Sequence, residues 1–181
     1  VSSLGKSGGF MGNDKVKIKL PGYLEKADSA LRMFGMGKQA DQLVETMNRA
    51  AENAVAEAKP ILTESIKKMS VKDAKDILTG GEDSVTQYFK RTSTDQLTAK
   101  FKPVVKKETA KLKLADQYNK FASKDASARL IEKKNANVDS DVTQKAMDGL
   151  FLMIAEEEKK LRANPMGAGS DLLKNVFGAL N

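Results

Sequence analysis

The 181 residues include 40% hydrophobic but only 6% aromatic side chains, with no Trp, Cys or His, and 31 Lys and Arg against 24 Asp and Glu give a formal charge of +7. Without cysteine there is no disulfide, thiolate nucleophile or sulfur metal site, and without histidine the usual general base, the commonest metal ligand and every Ser-His or Cys-His pair are excluded. A chain of this size buries roughly 70% of its unfolded surface as one domain, and the scarcity of aromatics beside abundant Ala, Leu, Val and Met suits helix packing better than a β-sandwich.

Val1 to Asn13 is rich in Gly and Ser and reads as a loop, with Leu4-Gly5 as the last turn and C-cap of a helix begun upstream. Lys15 to Leu20 alternates Lys with Val16, Ile18 and Leu20, the period-two pattern of a half-buried strand. It either pairs with another short segment or lies extended across helices, and the second reading is preferred. Residues 1–20 therefore form an N-terminal loop or extended segment, and residues 21–181 a single helical domain. Pro21 opens a helix over Gly22 to Phe34 with Tyr23, Ala27, Leu31 and Phe34 on one stripe, and Gly35 and Gly37 make the turn.

A helix over Lys38 to Ala58 carries Leu43, Met47, Ala50, Ala51, Ala54 and Ala58 as a seam of mostly small residues that lets another helix approach closely. Asn48, Arg49 and Glu52 lie beside that seam, Asn48 and Glu52 on a shared face. Pro60 starts a helix to Met69, and Ser70-Val-Lys-Asp73 is a capping-box start for another to Leu78.

Thr79-Gly80-Gly81-Glu82-Asp83-Ser84 is the sharpest loop, leading into a helix over Glu82 to Lys90. With Tyr88 and Arg91 it forms a candidate loop site at Thr79, Gly80 and Gly81, where backbone amides could cradle an anion; the plainer reading is a C-cap followed by an N-cap, preferred because Glu82 and Asp83 repel phosphate. Thr94 to Leu114 follows as a helix with Phe101, Val105 and Leu112 buried and Pro103 either its first residue or a kink. Lys100, Lys102, Lys106, Lys107, Lys111 and Lys113 make it basic. A solvated face is the default, and weak contact of Lys100, Lys102, Lys106 and Lys107 with anionic membrane is the alternative. Only Arg32, Arg49, Arg91, Arg129 and Arg162 supply the planar fork that nucleic-acid recognition favours, so nucleic acid is not an expected partner.

Leu114 to Ala122 continues as helix, and Ser123 to Val138 reads as a polar connection. Val142 to Ala163 then forms the central helix of the core: from Ala146 to Ala155 its apolar side chains point in every direction, as in a rod surrounded by other helices. Asp139, Ser140 and Asp141 suit its start, Lys159, Lys160 and Arg162 its end, and Pro165 stops it. The apolar run is too short to span a bilayer. Ser170 caps a last helix with Leu172, Leu173, Val176, Phe177 and Leu180, which folds back onto the rest. The fold expected is all-α, a compact single-domain bundle around the buried central helix, with residues 15–20 either one short strand or, as preferred, an extended segment across the helices.

Asp148 interrupts the central apolar run, and a carboxylate there must be paired, hydrogen-bonded or neutral. Gln144 and Lys145 precede it on the same flank, and Arg49 could reach it from the seam. The candidate polar network is therefore Asp148, Gln144, Lys145, Asn48, Arg49 and Glu52, read first as a structural network in which Arg49 or Lys145 pairs with a buried Asp148. Asp148 with Glu52 or Glu156 as the two carboxylates of a hydrolase is the catalytic alternative.

The runs Gly37 to Leu43, Met47 to Glu52, Glu57 to Pro60, Asp73 to Gly81, Thr86 to Thr92 and Val142 to Glu158 resemble, in order and over nearly the whole chain, the DUF4197 family of bacterial proteins of unknown function. The resemblance implies an exported, periplasmic protein whose signal sequence is removed. The function expected is non-enzymatic binding or interaction with a protein or small-molecule ligand, with no cofactor and no metal. A carrier holding an apolar or lipid-like ligand between helices, favoured by eight Met, is the alternative.

Overall fold

Small residues at α-helical spacing set how closely the helices of this chain meet. In a computed structural model the described residues are 1–20, 32, 33, 35, 37–110 and 138–163. Among them are five helices and no strand: α1 Gly37–Ala56, α2 Ala58–Lys67, α3 Val71–Thr79, α4 Ser84–Ala110 and α5 Val138–Ala163. The all-α expectation holds. The helix expected over Gly22 to Phe34, the segments within 111–137, and the last helix with Leu172 to Leu180 lie outside the described residues.

The seam of α1 is buried as its composition dictates, with Met47, Ala50, Ala51 and Ala54 packed in one core with Leu97, Phe101 and Val105 of α4 and Val142, Ala146, Met147 and Leu150 of α5. Methyl-sized side chains let backbones approach where Leu would hold them apart. Glu57 leaves helical register, so α1 stops at Ala56 and α2 begins at Ala58 with Pro60 in its first turn, where a missing N–H costs nothing. At α3 the capping box is formed as expected: the Asp73 amide donates to Ser70 Oγ and the Ser70 amide to Asp73 Oδ2, each at 3.0 Å.

Two boundaries differ from expectation. Residues 84–110 form one 27-residue helix, not two, and Pro103 lies inside it. Ser93, within the polar stretch that reads as a break, faces inward and shares a hydrogen bond with Ser65 at 2.7 Å, which satisfies its hydroxyl in the core. α5 begins four residues early, at Val138, with Asp139 and Asp141 in its first turn. Thr109 of α4 donates to Asp139 at 2.6 Å and fastens that end.

The central helix is also less enclosed than its apolar run suggests. Val142, Ala146, Met147, Leu150 and Phe151 are buried, but Gln144 and Asp148 are exposed and Leu152 is 43% exposed, so one stripe of α5 faces outward. The first twenty residues, here called the strap, pack against both α1 and α5. Its turns, which include Lys15 and Val16, bury Leu4 and Phe10, and residues 17–20 follow with no regular secondary structure and no β partner, so the short strand near 15–20 is not formed. Gly5 sits against Ala56, where an added Cβ would lie 3.0 Å from the Ala56 Cα.

Phe10 lies over Gly149. A Cβ at Gly149 would come within 2.8 Å of Phe10 Cε1 and 3.3 Å of Val16 Cβ. Replacing a mid-helix Gly by Ala ordinarily stabilises a helix by about 1 kcal/mol, whereas overpacking a filled core costs about 1–3 kcal/mol. Gly149→Ala should therefore destabilise the protein in chemical denaturation; a more stable variant would show that the strap does not press on α5.

Candidate functional site

The strap is held by two polar side chains that α1 presents on one face, one turn apart. Asn48, fully buried, accepts from the Ile18 amide through Oδ1 at 2.8 Å and returns a hydrogen bond from Nδ2 to the Ile18 carbonyl at 2.8 Å. Its second Nδ2 hydrogen reaches the Val44 carbonyl at 2.7 Å, so every polar group of this buried amide is used. A carboxamide pairs with both backbone groups of one residue as a neighbouring strand would, so Ile18 is held with no strand beside it, while Lys15 and Val16, expected in the same extended run, lie in a turn closed on the Asn13 carbonyl. Glu52 accepts from the Phe10 and Met11 amides through Oε1, at 2.9 and 3.2 Å.

The six-residue network expected around Asp148 is therefore divided. Asn48 and Glu52 are together under the strap. Arg49 points away and pairs with Glu45 at 2.7 Å on the exposed side of α1. Asp148 is exposed and accepts from Gln144 Nε2 at 2.8 Å. The expectation of a buried Asp148 paired with Arg49 or Lys145 is thus corrected: the position falls on the outward stripe of α5, where water solvates the charge and an amide suffices. Of the two carboxylates expected to act with Asp148, Glu52 accepts from the strap amides and Glu156 pairs with Lys15. Asp141, one helical face with Lys145 and Asp148, has its carboxyl raised by burial, lowered by Lys145 and raised again by Asp148, with a net upward shift.

Between the strap, the start of α4 and the outward stripe of α5 lies an open groove of about 550 Å³. Lys15 and Lys17 reach it from the strap, Asp83 from the turn before α4, Lys90 from α4, and Lys145 and Asp148 from α5. Its apolar lining comes from Val16, Gly149, Phe151 and Leu152. Lys90 Nζ stands 5.8 Å from the centroid of the Phe151 ring, within cation–π range. Asp83 accepts from Gln87 at 2.9 Å. Of the residues singled out from the sequence, Lys145 and Asp148 line the groove; Lys15, Lys17, Asp83 and Lys90 carry no local signature, because three distant segments bring them together.

The glycine loop holds no open anion site at the start of α4. Glu158 of α5, 4% exposed, places its carboxylate there and accepts from the Val85 amide at 2.9 Å, the Thr86 amide at 2.9 Å and the Thr86 hydroxyl at 2.8 Å. Burial alone would raise this carboxyl, but those donors and Arg162, 2.9 Å away, leave it below the usual glutamate range. Arg162 also bridges to Ser84 Oγ at 2.6 Å and to the Ile77 carbonyl at 3.2 Å, joining the end of α3 to the start of α4. The other candidate loop residues diverge. Thr79 bonds back to the Lys75 carbonyl at 2.9 Å, and Gly80 is the extended C-cap of α3. Tyr88 donates to the Ser65 carbonyl at 2.6 Å, and Arg91 pairs with Asp73 at 2.8 Å. Asp73 itself is lowered to about 2 by the Ser70 hydroxyl and amide and by Arg91. Gly81 follows as a link with open space around it, a Cβ there meeting only Asp83 Oδ1 at 3.8 Å. Glu158 itself is missed by sequence reasoning because the amides it accepts from, those of Val85 and Thr86, are 73 and 72 residues away.

Lys100, Lys102, Lys106 and Lys107 are exposed, as a solvated face requires. No group of three metal-ligating side chains and no helix long and apolar enough to cross a membrane occurs among the described residues. The space between α1, α4 and α5 that an interior apolar ligand would need is filled by Met47, Ala50, Leu97, Phe101 and Leu150. A family model described as a protein of unknown function, DUF4197, matches residues 1–178. Comparison with curated proteins and with solved structures gave no match.

Proposed function

The chain belongs to the DUF4197 family of proteins of unknown function, and we propose that it is a non-enzymatic binding protein of the periplasm whose ligand site is the groove between strap, α4 and α5. The observation that carries this reading is the groove itself: at about 550 Å³ it falls in the range of small-molecule sites, with an apolar lining and a few charged groups from three parts of the chain. The non-enzymatic part is supported by a sequence with no His and no Cys. It is supported further by the carboxylates named from the sequence, since Asp148 is exposed while Glu52 is engaged with backbone amides and Glu156 with Lys15. The periplasmic part rests on the resemblance of six sequence runs to exported proteins.

Native mass spectrometry of freshly purified protein tests the site. The expected result is a retained mass beyond that of the polypeptide, reduced in a Lys90→Glu, Lys145→Glu double variant that melts like the parent. A retained mass unaffected by that double change would place the ligand elsewhere and contradict this reading.

A further inference from the structure

We propose that the groove takes a small amphiphile with a single anionic head, the head held by Lys17 and Lys145 and the apolar body laid along Phe151 and Leu152. This rests on the groove being the ligand site. Lysines outnumber carboxylates in its lining, and two of them are already occupied: Lys15 pairs with Glu156 and Lys90 stands over Phe151. Lys17 and Lys145 make no salt bridge with a described residue, and although Lys145 also acts on Asp141 one turn away, the two offer an ammonium group from each wall to an anion. Asp83 and Asp148 set the limit on that charge. They stand in the same lining, and their repulsion disfavours a polyanion while leaving room for one negative group.

The apolar requirement comes from Leu152. It is among the large hydrophobic side chains left exposed, and it lines the groove together with Phe151. On α5 the spacing 145, 149, 152 and 155 puts one charged and three apolar positions along a single wall, about 15 Å from end to end at 1.5 Å per residue. A head at the Lys145 end leaves the remaining wall for a hydrocarbon body. This differs from a ligand enclosed between helices, because the interior is filled and the site is a surface channel with one wall made by the strap.

Titration calorimetry of the full chain at low ionic strength separates head from body. The probes, all below their micelle concentrations, are octanoate, decanoate and dodecanoate, with dodecyl phosphate as a second anionic head. Dodecyl maltoside supplies a neutral head, and acetate and inorganic phosphate supply heads without a body. Affinity is expected to rise about three- to fourfold for each methylene covered, and the neutral and bodiless probes should bind at least about tenfold more weakly than dodecanoate. Tighter binding of dodecyl phosphate than of dodecanoate would identify the head as a lipid phosphate; the reverse would identify a free carboxylate. Lys17→Glu, Lys145→Glu and Leu152→Asp, all at positions accessible to solvent, should each weaken dodecanoate binding about tenfold with an unchanged melting temperature. Equal binding of dodecyl maltoside would overturn the anionic head while leaving the groove as the ligand site. Dodecanoate binding indifferent to all three substitutions, or no binding of any amphiphile, would overturn the inference; the retained mass in native mass spectrometry decides the groove reading separately.

Discussion

Asn48→Leu should lose about 2–5 kcal/mol of stability, a large part of the 5–15 kcal/mol typical of a whole domain. The substitution keeps much of the side-chain volume but leaves the buried Ile18 amide and carbonyl without partners. Each such orphan costs about 1–3 kcal/mol. Asn48→Asp is a sharper test, because an ionised carboxylate still accepts from the Ile18 amide but faces the Ile18 and Val44 carbonyls with no hydrogen to give. That acid is stabilised in its protonated form by folding, so its folded pKa should be raised, and the variant should recover stability as pH falls through that raised value. Urea denaturation at several pH values measures both effects. A loss below about 1 kcal/mol for Asn48→Leu would mean that the strap does not depend on this amide.

Glu158→Leu should cost about 3–5 kcal/mol, since it strands the Arg162 charge and removes the acceptor of the Val85 and Thr86 amides at the positive end of α4. Its pH dependence has a definite sign. Hydrogen bonds and Arg162 outweigh burial and hold the folded carboxyl below its ordinary value. The stabilisation is therefore complete above the unfolded glutamate value of about 4.3 and is lost as pH falls through the lower folded value. Glu158→Gln keeps the shape and one acceptor, should cost less than Leu, and should flatten the acid limb of the stability curve. An acid limb as steep in Glu158→Gln as in the parent would show that other carboxylates produce it.

How much of this was legible in the sequence follows from the range of each interaction. The capping box of Ser70 and Asp73 is contained in four residues, and the seam from Leu43 to Ala54 in one helix, so local chemistry and periodicity determine them. Asn48 and Glu52 could be placed on a shared face beside the seam, but their partners are backbone groups of Ile18, Phe10 and Met11, and an amide leaves no mark in a sequence. Ser93 looked like part of a break because hydroxyls favour helix ends, and only the facing Ser65 makes it at home in mid-helix. Asp148 misled for the converse reason. Leu152 beside it suggested burial on all sides, yet both belong to the stripe that the groove leaves uncovered. The groove depends on Lys17, Lys90 and Lys145 meeting from three segments, a tertiary event with no local signal.

The central claim is that the first twenty residues are a folded wall of the site, stitched to α1 by Asn48 and Glu52 and pressed on α5 at Gly149. Residue-resolved amide hydrogen exchange of the unmodified protein tests it most directly. Phe10 and Ile18 donate to buried side-chain acceptors, so their amides should exchange with protection approaching that of Leu150 in the core of α5. Exchange of Phe10 and Ile18 at free-peptide rates, while Leu150 stays protected, would contradict it.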